Sequence, residues 1–538
     1  MKRLRILILL SLILTGGLVS AFARADATAP DPSVFFRIRV VDDQTSRGVP
    51  LVELRTTNCV SFWTDSNGLV AFYEPGLMGR DVFFSISSHG YETPKDGFGM
   101  KGKVLHPESG KSAEIRLKRL NIAERLYRIT GGGIYRDSLL LGEKVPLKEP
   151  LLNGQVFGQD SVQPVLYKDK IYWFWGDTNR PSYPLGNFHT TGGWSALPGH
   201  GGLDPAGGVD IRYFTESPDG FVKAMCPFEG NGVLVWIDGL LTLPDESGQT
   251  RLVTHYTSLK SMANILEHGL AVWNDEKEIF EKKAQFDLKK RWQCPQSHPI
   301  RLTTDGTDYY YFQMPFHTIR MRADWTAMLD QSAYEAFTPL APGTRYEKGK
   351  SRVERDSEGR AVWGWKRDTE PITTIQEKEL LDAGLLRPDE TRFLPKDVEN
   401  GQIVRMHTGT VQWNDYRKKW ILIAVEYDGK PSFLGEMWYS EADSPQGPWT
   451  WTRRIVMHDK YSFYNPVHHT FYDQAGGRVI YFEGTYTTTF SSREEFQTPR
   501  YDYNQMMYRL DLSDPRLAPP STTGADASKK QKTDDSKK

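Results

Sequence analysis

The sequence predicts an all-β protein in which a small β-sandwich precedes a five-bladed β-propeller. Two observations lead to this prediction. Short runs of alternating apolar residues fill positions 34–118, and after residue 146 a hairpin of two apolar, aromatic runs around a polar turn occurs four times. A hairpin repeated at intervals of tens of residues is how a chain builds a radial array of small sheets, and the inner strands of such an array meet at one axis.

The bulk composition limits the classes of function. The 538 residues are enough for two folded domains with tails. The net charge is −1, from 67 basic and 68 acidic residues, and this balance argues against a nucleic-acid partner. Aromatic residues make up 12% of the chain, which suits both strand-rich cores and flat platforms for sugar rings.

The first 25 residues have the pattern of a secretory signal peptide. Lys2, Arg3 and Arg5 form a basic start, an apolar run follows over 6–19, and small residues near position 23 offer a cleavage site. No later stretch approaches the ~20 apolar residues of a membrane span. We therefore expect a secreted or periplasmic protein with no membrane association once the signal is removed.

Three cysteines, Cys59, Cys226 and Cys294, allow at most one disulfide. Cys226 and Cys294 share the second domain and are the candidate pair, while at least one thiol is expected to be buried and unpaired.

Residues 34–118 form the predicted sandwich, with strands near 35–41, 52–55 and 82–86 and a turn at 64–68. The segments 41–43, 48–50, 64–68 and 90–91 resemble landmarks of carboxypeptidase-regulatory-like and transthyretin-like modules. That resemblance implies a non-catalytic role as a spacer, docking surface or folding aid.

The rest of the chain divides into a linker, the propeller and a tail. In the linker, 119–145, residues 121–126 fit a short helix and Gly131–Gly133 a break. The propeller is expected over 146–512. Its four hairpins lie at 163–175, 298–312, 410–423 and 466–482, with a fifth unit between 232 and 260. The tail, 519–538, is polar and predicted to be disordered.

An insertion over 342–400 interrupts the propeller and is poor in strands. Thr374 opens a capping-box pattern for a helix that Gly384 closes. We expect this insertion to lie over one face of the disc as a rim or lid.

Two motifs carry a further resemblance. The aromatic strand 173–175 runs into Gly176-Asp177-Thr178, and the strand that begins at Glu436 ends in the turn 445–449, Pro-Gln-Gly-Pro-Trp. These resemble the five-bladed β-propeller glycosidases that include glycoside hydrolase family 43. The resemblance implies hydrolysis of a glycosidic bond by two carboxyl groups, one a protonated acid and the other a base or nucleophile.

In that family the acids stand in Asp-Pro of the first blade and Glu-x-Pro of the third, where this chain has Gln163-Pro164 and Ser297-His298-Pro299. Four nearby carboxylates are the candidate replacements: Asp160, Asp177, Glu436 and Glu483. Each has a structural alternative, since Asp177 can cap its own turn, Asp160 can be an ordinary loop residue, and the two glutamates can be strand-edge charges.

Candidate substrate-binding residues lie near the same predicted inner strands; they are Gln163, Trp175, His298, His407, Asn465 and His468. Imidazole can bind hydroxyl groups or act as an acid or base, although structural hydrogen bonding is the alternative for each histidine. No metal and no cofactor is expected, because no HExxH spacing occurs and the Gly-rich stretch 192–202 lacks the context of a phosphate loop.

These observations predict an exported glycoside hydrolase that acts on a polysaccharide or oligosaccharide. The missing acids at 163 and 298 keep open a non-catalytic carbohydrate-binding or surface-interaction propeller. A metal-dependent lyase or hydrolase that uses the histidines is the third alternative. In the first two cases the partner is a carbohydrate.

Overall fold

The computed structural model describes residues 30–216, 220–228, 234–312, 315–491 and 496–520. Strands account for 42% of the structure and helices for 10%, so the all-β prediction is confirmed. The predicted signal peptide at 1–25 lies outside the described residues, as does the predicted tail from 521 onwards.

Two four-stranded sheets enclose the first apolar core. Alternation along their strands turns Ile38, Leu54 and Phe84 inward, and all three are buried in the same cluster. The first sheet has the order β4-β1-β8-β6, with β1 and β8 parallel, and the second has the order β3-β2-β5-β7. Their strands are β1 (Phe36–Asp42), β2 (Glu53–Thr56), β3 (Ser61–Trp63), β4 (Leu69–Phe72), β5 (Val82–Ser87), β6 (Tyr91–Glu92), β7 (Gly102–Leu105) and β8 (Ser112–Arg119).

Five successive sheets follow, which we number 1 to 5 in chain order. Sheet 1 has the order β11-β12-β15-β16. A three-stranded sheet, β10-β13-β14, lies beside it. The strands are β9 (Glu124–Arg128), β10 (Gly158–Gln159), β11 (Gln163–Tyr167), β12 (Lys170–Trp175), β13 (Thr178–Arg180), β14 (Tyr183–Asn187), β15 (Thr191–Ala196) and β16 (Arg212–Tyr213).

Sheets 2 and 3 follow in sequence order, each as a simple antiparallel meander. Sheet 2 contains β17 (Leu234–Pro244), β18 (Thr250–Ser261), β19 (Asn264–Asn274) and β20 (Ile279–Gln285). Sheet 3 contains β21 (Ile300–Thr304), β22 (Thr307–Phe312), β23 (Ile319–Arg322), β24 (Glu335–Thr338) and β25 (Gly364–Lys366).

Sheets 4 and 5 have one unusual strand each. In sheet 4 the edge strand β26 is parallel to β30, and in sheet 5 the fourth strand is β9. Sheet 4 contains β26 (Lys396–Asp397), β27 (Met406–Asn414), β28 (Lys419–Glu426), β29 (Met437–Ala442) and β30 (Trp451–Val456). Sheet 5 contains β31 (Ser462–His468), β32 (Val479–Thr487) and β33 (Asn504–Asp511).

The helix predicted at 121–126 is wrong, because β9 pairs antiparallel with β33. Met506 faces Arg128 and Arg509 faces Glu124, and the latter two also form an ion pair. All five side chains of β9 are buried. A strand that lies between two cores can bury both of its faces, whereas an isolated helical turn cannot. Strand β9 therefore completes the last sheet with a segment from before the first.

Helices are short and connect the sheets. The helix predicted near 374 is present, but Thr373 rather than Thr374 caps it, in a capping box with Gln376. The Thr374 hydroxyl instead donates to the Met406 carbonyl at 3.0 Å, and Gly384 with φ +69° follows the helix. The α-helices are α1 (Arg136–Leu140), α2 (Trp325–Leu329) and α3 (Thr374–Asp382). The 3₁₀ helices are Pro32–Val34, Asn153–Gln155, Leu288–Gln293, Gln331–Ala333, Pro388–Glu390, Thr470–Tyr472, Ala475–Gly477 and Pro515–Leu517.

The cysteine pairing suggested by the sequence is wrong. Cys226 and Cys294 are separate buried thiols, since one packs in the core between sheets 1 and 2 and the other in the core between sheets 2 and 3. Cys59 is an exposed thiol on the turn between β2 and β3.

The first strands of sheets 1–5 converge. A cavity of about 490 Å³ is lined by residues of β11, β17, β21, β27 and β31 together. The neighbouring first strands β27 and β31 run in the same direction. The Asn465 N–H donates to the Thr408 hydroxyl at 3.2 Å, and farther along both strands the His468 N–H donates to the Thr410 hydroxyl at 3.0 Å. Side chains at the same level of these five strands are therefore brought together from distant parts of the chain.

The pairing of β9 with sheet 5 leads to a stability prediction. The Leu126→Ala substitution truncates a side chain that is buried in the core shared with sheet 1. We expect it to lower the unfolding free energy by about 2–5 kcal/mol. Leu120→Ala, at a half-exposed position just before β9, is the control and should change the urea midpoint little. Equal midpoints for the two variants would contradict the role assigned to β9.

Candidate functional site

Asp160 lies just after β10, at the start of the first strand of sheet 1. The phenol of Tyr464 in β31 donates to its carboxylate at 2.7 Å, and the Tyr503 and Ser161 hydroxyls and the Asp177 backbone N–H also donate to it. Burial raises the pKa of Asp160, while these hydrogen bonds act in the opposite direction because they stabilise the charged form. Asp160 is therefore the carboxylate of this site that is best equipped to hold a negative charge.

Asp177 lies next to it, directly after β12. The indole N–H of Trp236 in sheet 2 donates to Asp177 Oδ1 at 3.2 Å. Burial, and then the charge of Asp160, raises the pKa of Asp177 to about 7. Two neighbouring carboxyl groups do not both ionise easily, and since Asp160 accepts more hydrogen bonds, Asp177 is the one of the two that favours its protonated form.

Gly176 allows the two carboxyl groups to come together. A Cβ atom at this position would lie 2.3 Å from Asp160 Oδ1, so no other residue fits without moving the carboxylate. This close contact explains why the Gly-Asp-Thr motif that follows the aromatic strand begins with glycine.

Asp238 is a third carboxyl group that the sequence analysis missed. Its Oδ1 accepts hydrogen bonds from Gln163 Nε2 and from the Ser297 backbone N–H, each at 3.2 Å. Burial raises its pKa to about 7. Asp238 therefore joins sheets 1 and 2 to the start of sheet 3. The signal that could have found it is an Asp-Gly pair inside the otherwise apolar strand β17.

We call Asp160, Asp177 and Asp238, with Gln163, Trp236 and Tyr464, the acid cluster. Asn465 belongs beside it, since its side-chain amide donates to Ser161 Oγ at 2.6 Å. The structure thus brings together four predicted site residues: Asp160, Asp177, Gln163 and Asn465. As whole residues the three aspartates are half-buried rather than enclosed, and the pKa values of Asp177 and Asp238 lie near neutral pH.

Glu436 lies elsewhere, beside Glu426 in sheet 4. It is 1% exposed and neither carboxyl oxygen has a hydrogen-bond partner among the described residues. Burial, and then the charge of Glu426, raises the pKa of Glu436 to about 8. His407 stacks on Tyr427 at 5.6 Å, close to the same strand ends, and burial lowers its pKa. No described contact links Glu436 or His407 to the acid cluster.

Glu483 is enclosed and does not face a ligand site. It bonds to His469 Nε2 at 2.7 Å, and both side chains are fully buried. Burial raises the pKa of Glu483 well above its usual range and lowers that of His469 to about 3, so the proton stays on the carboxyl group and the pair is neutral. A substrate cannot reach this carboxyl group in the observed arrangement.

The remaining predicted residues also lie apart from the acid cluster. Trp175 is core rather than a sugar platform, because it is 1% exposed and stacks on Trp173 at 6.3 Å. His298 lies just before β21 and directly after Ser297, and together with His468 it lines the 490 Å³ cavity. Burial, and then His469 and His317, lowers the pKa of His298 to about 3, and His468 Nε2 bonds to Asp473 Oδ1 at 2.8 Å.

Among the residues that the structure describes, no group of three or more His, Cys, Asp and Glu side chains is arranged to hold a metal ion. In the same ranges no helix has the length and apolar character needed to cross a membrane.

Comparisons with known proteins gave matches among solved structures alone, since no protein-family profile and no curated protein matches the chain. A putative hydrolase from Bacteroides ovatus is 12% identical with a TM-score of 0.40, over 66% of this chain and 87% of that one. A putative exo-β-1,3-galactanase from Bifidobacterium bifidum is 9% identical with a TM-score of 0.35, over 73% and 94%. A GH43_1 enzyme from Xanthomonas citri, complexed with xylotriose, is 10% identical with a TM-score of 0.30, over 66% and 86%. Likenesses of this size assign neither a family nor an activity to this chain.

The isolated Glu436 predicts a pH-dependent stability. The pKa of Glu436 in the folded state is about 8, above its ordinary value of 4.5. Between these two pH values the folded state binds more protons than the unfolded state. The contribution of Glu436 to the unfolding free energy therefore falls as pH rises from 4.5 to 8. Glu436→Gln should therefore stabilise the protein at pH 8 by about 1–3 kcal/mol, and by less at pH 5. Urea midpoints at both pH values measure this, with the exposed Glu358→Gln as control. A gain of the same size at both pH values would contradict the assignment.

Proposed function

We propose that this chain is an exported glycoside hydrolase that acts on a polysaccharide or oligosaccharide through the acid cluster. The observation that carries the proposal is the Asp160–Asp177 pair, in which Asp177 keeps a proton up to about pH 7 while several hydrogen bonds to Asp160 favour the charged form of its neighbour. The proposal includes export through the signal peptide at 1–25. It also takes sheets 1–5 as the blades of a five-bladed propeller and residues 34–118 as a β-sandwich module.

The chemistry follows from the two protonation states. The Asp177 carboxyl group donates its proton to the glycosidic oxygen as the bond from that oxygen to the anomeric carbon breaks. The Asp160 carboxylate then accepts a proton from the water that adds to the anomeric carbon, or attacks that carbon itself before water releases the sugar. The Tyr464 phenol and the Trp236 indole hold the two carboxyl groups in place, and Asp238 fixes Gln163 at the same strand ends.

A non-catalytic carbohydrate-binding protein is the second candidate. It is favoured by Gln163 and His298, which stand where the resembled glycosidases carry their acids, and by the enclosure of Glu483. In that case the acid cluster would accept hydrogen bonds from sugar hydroxyls without breaking a bond.

Substitution of the pair separates the two candidates. Asp177→Asn and Asp160→Asn should each lower kcat by about 10²–10⁴-fold on whichever member of a panel of galactan, arabinan and xylan fragments is cleaved. Asp169→Asn, in the exposed β11–β12 turn, is the matched control and should retain full turnover. Binding without turnover by the unaltered protein would favour the second candidate, and full turnover in both cluster variants would exclude the pair as the catalytic groups.

The raised pKa of Asp177 predicts a pH profile. Because the protonated form of Asp177 is the one that acts, kcat/KM should fall as pH rises through about 7. Carbon-13 NMR of the Asp carboxyl groups should place the Asp177 titration near the same pH. In Asp160→Asn that titration should move to lower pH, because a neighbouring negative charge has been removed. An unmoved titration would show that the two groups do not interact.

A further inference from the structure

The first strands of sheets 1–5, three of which carry acid-cluster residues, also form a cavity toward their far ends. The lining begins directly beside the acid-cluster level, at Pro164 and His298, and extends along the strands by about four further positions, which corresponds to roughly 13 Å. Leu166 follows Gln163 in β11, Thr242 follows Asp238 in β17, and Gln412 follows Thr408 in β27. We call the 490 Å³ space the far-end cavity.

The far-end cavity has one wall suited to a sugar ring. Trp413 of β27 lines it with 41% of its surface exposed, and the edge of Trp420 packs against it at 5.7 Å with the ring planes at 65°. The Trp413 indole N–H donates to Asp415 Oδ1 at 3.1 Å, which fixes the ring further. An indole held in this way presents a flat apolar surface without losing side-chain freedom when a ligand stacks on it.

Polar groups from other sheets complete the wall. Gln412 and Thr242 line the cavity, and so does His468, whose Nδ1 is buried and has no hydrogen-bond partner among the described residues. The mixture of one exposed aromatic ring with several separate hydrogen-bonding groups is typical of a small-molecule site rather than of a core void.

The charge of the cavity limits the ligand. Arg301 lines it, but its guanidinium is paired with Asp308 at 2.6 Å. The depressed pKa of His298 keeps that imidazole neutral at pH 7. The lining thus offers neither a free cation for an anionic ligand nor a free carboxylate for a cationic one.

We propose that the far-end cavity is a second carbohydrate site, which binds a neutral mono- or disaccharide unit by stacking it on Trp413. A volume of 490 Å³ is large enough for such a unit. No carboxyl group is among the described residues that line it, so it holds sugar without cleaving it. It is independent of the hydrolytic activity proposed above, although both concern the same class of ligand.

Fluorine NMR on the full chain labelled with 5-fluorotryptophan tests this proposal. Trp413 reports on the far-end cavity and Trp236 on the acid cluster, and Trp413→Phe and Trp236→Phe assign the two signals. The probes are xylobiose, arabinobiose, β-1,3-galactobiose and cellobiose at millimolar concentrations. We expect at least one disaccharide to shift the Trp413 signal in a saturable way, and Trp413→Ala to weaken that binding about tenfold in calorimetry.

Two further variants keep the test decisive. Leu166, 46% exposed on the cavity wall, can be changed to Trp to fill the space and should also abolish the binding. Tyr416→Ala, a similarly exposed aromatic in the same hairpin as Trp413 that does not line the cavity, should leave it unchanged.

The outcomes separate this proposal from the proposed hydrolysis. If the disaccharides shift Trp236 alone, or shift neither signal, or bind Leu166→Trp as well as the unaltered protein, the second site is wrong whatever the protein hydrolyses. If Trp413 responds as expected while no glycan is cleaved, the second site stands and the hydrolytic function fails.

Discussion

The pairing of β9 with β33 is the contact on which the rest of the structure depends, because it joins the segment before sheet 1 to sheet 5. Three hydrogen bonds extend this junction. The Gln159 N–H donates to the Tyr503 carbonyl at 2.9 Å, Gln505 Nε2 donates to the Gln159 carbonyl at 3.0 Å, and the Ser161 N–H donates to Thr485 Oγ1 at 3.1 Å. Asp160 is therefore held against Tyr464 of sheet 5, although 304 positions separate the two residues. The acid cluster exists because the first and last sheets are joined at this point.

The same strand fixes the N-terminal sheets. The Arg125 guanidinium is buried and donates to the Pro50 carbonyl at 2.9 and 3.1 Å and to the His89 carbonyl at 3.1 Å. These acceptors are loop carbonyls of the N-terminal domain that would otherwise be buried without partners, and an unpaired buried carbonyl is costly. One short strand thus connects the small domain, the last sheet and the approach to the acid cluster.

The sequence predicted local structure well and distant contacts poorly. The hairpins are encoded by alternation and turn residues within about fifteen positions, so all five units were found. Strand β9 could not be recognised because its partner lies about 380 positions away and its own five residues lack a helix-excluding Gly or Pro. Asp160, Asp177, Gln163 and Asn465 lie near one another because strand starts converge in such an array, while their functional roles stay predictions. The sequence analysis missed Asp238 and misassigned Trp175 for the same reason. Alternation shows that a strand has two faces but does not show which face points to the axis.

Burial alone does not make a functional acid, as three carboxyl groups of this protein illustrate. Asp177, Glu436 and Glu483 all have raised pKa values with desolvation as the main cause. Glu483 keeps its proton within a closed pair with His469, and Glu436 lies almost fully enclosed beside Glu426, so neither can exchange a proton with a substrate. Asp177 is the one of the three that is partly exposed and lies beside a carboxyl group that accepts several hydrogen bonds. A perturbed pKa indicates a reactive site when an open approach and a partner for the proton accompany it, and these two conditions are the reason for proposing Asp177 as the acid.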